Sequence, residues 1–121
     1  HLDRLVEANN RGQIALAVAA ISASENRPDG PPAKNYLIFM DRLYRLGLSG
    51  IKELLPLATW NVGFWDHMLL ASSELNREAD MIYATLFPDT PTGPDPATTD
   101  DRKWRNRHCD AMLVWCCIHH E

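Results

Sequence analysis

Five soft or borderline metal ligands, Cys109, Cys116, Cys117, His119 and His120, crowd into the last thirteen residues of the chain. On a helix, Cys116 and His120 stand four apart and share a face, and Cys109 lies seven before Cys116 on that same face. A zinc site wants four ligands, commonly two from each of two elements joined by C-x-x-C type hooks. The chain has no such hook. Cys109, Cys116 and His120 would therefore make a partial site, to be completed by His67, by Glu74 or by another copy of the chain. Buried cysteines on an apolar helix act as small hydrophobes, so no cofactor is expected, and a bundle that binds a metal, or a small ligand among its tryptophans, stands as an alternative reading.

Acid–base chemistry has less to work with. Glu74 and Glu78 are one helical turn apart, and His67 falls on nearly the same edge, but the Glu-x-x-His pair of di-iron bundles is absent. There is no G-x-G-x-x-G, P-loop, G-x-S-x-G or H-E-x-x-H. Enzymatic activity is not expected. Nucleic-acid binding has one local argument, because Arg102, Lys103, Arg105 and Arg107 surround Trp104, whose indole could stack on a base. Helical phase places Trp104 on the apolar stripe and away from the cations, and an acidic stretch precedes them, so this too is an alternative.

The class with most support is interaction or self-assembly. Residues 111–118, AMLVWCCI, are apolar on all sides, which a solvent-exposed amphipathic helix does not tolerate. Trp104, Met112, Leu113 and Trp115, with Leu70 and Met81 from the preceding helix, are the expected partner surface, since aromatic residues and Met are enriched at interfaces. Trp60 and Trp65 complete the set of four tryptophans. The expected function is a non-catalytic assembly or regulatory subunit that pairs with another protein chain, a second copy included.

The elements that must position these residues follow from periodicity. Phe64, Met68, Ala71, Leu75, Ala79, Ile82 and Leu86 recur at three- and four-residue steps, which predicts one long helix over 63–86. A first helix is expected over 3–24, with Gly12 as its weak point and Asn9 and Gln13 as polar members of its stripe. The breaker Asn26–Pro32 ends it. A second helix then carries Tyr36, Met40, Leu43, Tyr44 and Gly47 inward, with Pro31 and Pro32 suited to its first turn. A short helix through Ile51, Leu54, Leu55 and Leu57 follows. Asn61–Gly63 forms a bend, and residues 87–99 form an exposed proline-rich loop. The last helix spans 101–119, with Thr98 or Thr99 as its cap. The predicted fold is thus an all-α, single-domain bundle of about five helices covering 1–121.

Composition bounds the rest. An apolar share of 45% with 23% charged residues, in a chain of 121, suits one globular domain. No apolar run is long enough for a membrane span. The net charge of −4 is unevenly laid out: residues 61–101 hold eight acids against Arg77 alone, just before the four cations of 102–107. Three cysteines, two of them sequence neighbours, suggest reduced thiols and a cytoplasmic setting. The start at His1, with no signal-like segment, reads as an excised domain.

Overall fold

The computed structural model describes residues 1–25, 34–59, 62–93 and 102–120. Helix α1, Leu2–Asn10, stops far short of the predicted 3–24. Gly12 terminates it rather than merely weakening it. Its φ is 69°, and its N–H bonds to the Asn9 carbonyl at 2.9 Å while the Gln13 N–H reaches the Ala8 carbonyl at 2.9 Å. That pair of reversed bonds is the Schellman arrangement, which a residue with positive φ makes available. Asn9 settles locally, its Oδ1 accepting from the Leu16 N–H at 2.8 Å.

The segment that follows is buried only from Ala19 to Ser24, with Ser22 half-covered, and it is not helical in the expected way. Strand β1, Ala17–Ala19, pairs in parallel with β2, Lys52–Leu54, in the register Ala17↔Lys52, Val18↔Glu53 and Ala19↔Leu54. A 3-10 helix over Ala20–Ser24 continues it. Neighbouring side chains on this stretch face different ways. Ala19 and Ile21 join one apolar cluster with Leu57, Val62, Ala79, Cys109, Met112 and Trp115. Ala20 and Ala23 join a second with Tyr36, Phe39 and Leu43. Residues 19–23 are therefore the partition between two cores, and their small size lets both approach closely.

Helix α2, Tyr36–Arg45, is capped by the Asn35 side chain, which accepts from the Ile38 N–H at 3.1 Å. It ends in a second Schellman arrangement at Gly47. Its inner face is Tyr36, Phe39 and Leu43, whereas Met40 and Tyr44, expected inward, are exposed. The short helix predicted near 51–57 is strand β2 instead.

The long helix predicted over 63–86 begins only at Ser73. Helix α3 is Ser73–Leu86, and the Ser72 hydroxyl caps it by accepting from the Leu75 N–H at 3.3 Å. Residues before it form a 3-10 turn, Trp65–His67, and an extended run whose Leu69 bridges Leu57 in parallel. Helix α4, Arg102–His119, matches the expected element closely. Among the described residues the chain is thus mostly helical, with four α-helices and a two-stranded sheet, and a five-helix bundle is not what they form. No helix among them is long and apolar enough to cross a membrane. The Asn26–Pro32 breaker, Trp60, Asn61, and the Thr98 and Thr99 caps lie outside the described residues, as does the second part, 94–99, of the loop predicted over 87–99.

Candidate docking surface

Helices α3 and α4 lie antiparallel. His119, at the end of α4, donates Nε2–H to Glu78 in the first half of α3 at 2.8 Å, while Arg107, early in α4, sits 5.6 Å over the Phe87 ring just past the end of α3. Each helix turns one side inward. On α3 this side is Ala79 and Tyr83, and on α4 it is Cys109, Ala111, Met112, Trp115 and Cys116. A second stripe on each helix is left outside. On α4, Val114, Cys117 and Ile118 are exposed. On α3, Met81 is 65% exposed and Leu86 is also open.

Between the two stripes runs a groove of about 260 Å³ lined by Glu78, Met81, Ile82, Thr85, Leu86 and Val114. The α3 residues in it follow one another by three, one, three and one, the spacing that places side chains in a row along one helix flank. The groove is almost wholly apolar. The Thr85 hydroxyl is turned away into a bond with the Met81 carbonyl at 2.7 Å, so the Glu78 carboxylate, held by His119, is its main polar feature. Chemically the groove suits aliphatic or aromatic side chains, with a cation at the Glu78 end.

The residues expected at a partner surface divide. Met81 and Leu70 are exposed, as that reading requires. Met112 and Trp115 are buried inside the chain's own core, with Trp115 at 2% exposure, and are corrected from surface to core. The stripe containing them faces inward because α3 and the 19–23 partition cover it. Leu113 and Trp104 pack half-buried against the same core. Residues 111–118 are not covered on every side by their own chain: Val114, Cys117 and Ile118 are open. Ile82, Leu86, Val114 and Glu78 were not singled out as groove residues. Periodicity places Ile82 and Leu86 on the inner stripe of an overlong helix, so spacing alone does not mark them as groove residues.

The basic start of α4 is not arranged for base stacking. Trp104 donates Nε1–H to the Thr92 carbonyl at 3.1 Å and lies against the His108 ring, centroids 5.2 Å apart. Arg102 and Lys103 are exposed, Arg105 and Arg107 half-buried, and Arg107 is committed to Phe87. Nor do the soft ligands converge. His120 donates Nε2–H to the Leu55 carbonyl at 2.9 Å. Cys109 and Cys116 are buried, and burial pushes their thiols up to about 12 and about 11. Among the described residues no three His, Cys, Asp or Glu side chains are disposed to hold a metal ion.

One polar cluster was not foreseen. Glu53 Oε1 accepts from the Tyr36 hydroxyl at 2.7 Å and from His67 Nδ1 at 2.6 Å, and the Tyr36 and His67 rings stack with centroids 3.4 Å apart. It ties α2, β2 and the 3-10 turn together. The Tyr36 hydroxyl is held protonated well above its ordinary range, by burial first and then by the Glu53 carboxylate. Contacts of this kind span seventeen and fourteen residues and carry no periodic signal. No family model, curated protein or solved structure matches this chain.

Proposed function

We propose that this domain is a non-catalytic interaction subunit that receives an amphipathic helix of another protein chain in the groove between α3 and α4. The observation that carries the reading is the row Met81, Ile82, Leu86 and Val114, an apolar lining left open beside an otherwise well-filled core. Covering open apolar area of this sort favours association, and side chains at three- and four-residue steps fit another helix. Cys117, exposed on the same side of α4, provides a reporter.

With an environment-sensitive fluorophore on Cys117, a synthetic helical peptide bearing Leu at three- and four-residue steps and Lys between them is expected to give a saturable blue shift. Met81→Glu is expected to abolish it. A scrambled peptide giving the same shift, or no shift with the patterned one, would refute the reading.

A further inference from the structure

We draw no further inference here: the strongest candidate, the apolar groove between α3 and α4 lined by Met81, Ile82, Leu86 and Val114, belongs to the docking site already described, and nothing in the structure shows which partner covers it.

Discussion

His108 shows how one residue can be set by three surroundings at once. Burial pushes its imidazole down to about 4; Asp80 acts in the opposite sense, and Arg105 adds to the lowering. Its Nε2 is hydrogen-bonded to Thr59 Oγ1 at 2.9 Å, and Trp104 covers its ring. In the unfolded chain the same group titrates near 6.5. The folded state therefore favours the neutral ring. The contribution is fully present above about 6.5 and is lost as pH falls toward about 4, where the folded state also takes the proton. We expect urea unfolding to lose roughly 2–3 kcal/mol from this group between about pH 7 and about pH 4. His108→Gln, which can still bond Thr59, should lose correspondingly less over that interval. Equal losses in both proteins would show that other groups carry the acid sensitivity. Glu53 makes the contrasting case, a half-buried carboxylate with Tyr36 and His67 both bound at one oxygen. Neither arrangement was legible in the sequence, because both depend on residues far apart in the chain.

At the scale of elements, helix existence was legible where apolar spacing was long and regular, whereas boundaries were lost where a cap or a competing backbone partner intervened. Helix α4 spans Arg102–His119 almost as its periodicity indicates. Helix α3 does not begin where its apolar stripe begins, because Ser72 caps it and the residues before it find extended partners. The Leu69 N–H bonds to the Pro56 carbonyl and the Ala58 N–H to the Leu69 carbonyl, each at 2.8 Å. Periodicity cannot register such a competitor. Periodicity overextends helix α1 for a different reason: by propensity Gly12 is a modest loss, whereas its left-handed backbone closes the helix outright. The same feature sets a measurable cost. An added Cβ at Gly12 meets nothing within 4 Å, so Gly12→Ala suffers no collision, only the conformational penalty of a positive φ. That penalty is about 1 kcal/mol, read as a lower urea midpoint at unchanged slope. A neutral or stabilising Gly12→Ala would mean that α1 simply continues past residue 12.

For the molecule as a whole, the organising feature is the shared wall between two apolar clusters. The small apolar residues of 14–24 suit tight packing, and the packing is there only from Ala19 onward, at the end of a strand and in a 3-10 helix, while Ile14, Ala15 and Ala17 are exposed. Ile21 is among the most deeply buried side chains and belongs to the cluster of α3 and α4. Ala20, its neighbour, belongs to the cluster of α2. Two cores separated by a flexible linker would melt separately, whereas two cores sharing a wall have to lose it together. Truncation of a fully buried Ile costs about 2–5 kcal/mol, and here the loss should be felt on both sides. We therefore expect Ile21→Ala to lower stability by that amount in one cooperative transition. Helicity would be followed by circular dichroism. The α2 cluster would be followed by a single Trp at Phe64, which packs against that cluster and stacks edge-on to Tyr36 at 5.6 Å, with Phe otherwise replacing the native tryptophans. Coincident curves would establish the wall as common property, while an α2 probe that melts on its own, indifferent to Ile21, would make the chain two independently stable halves.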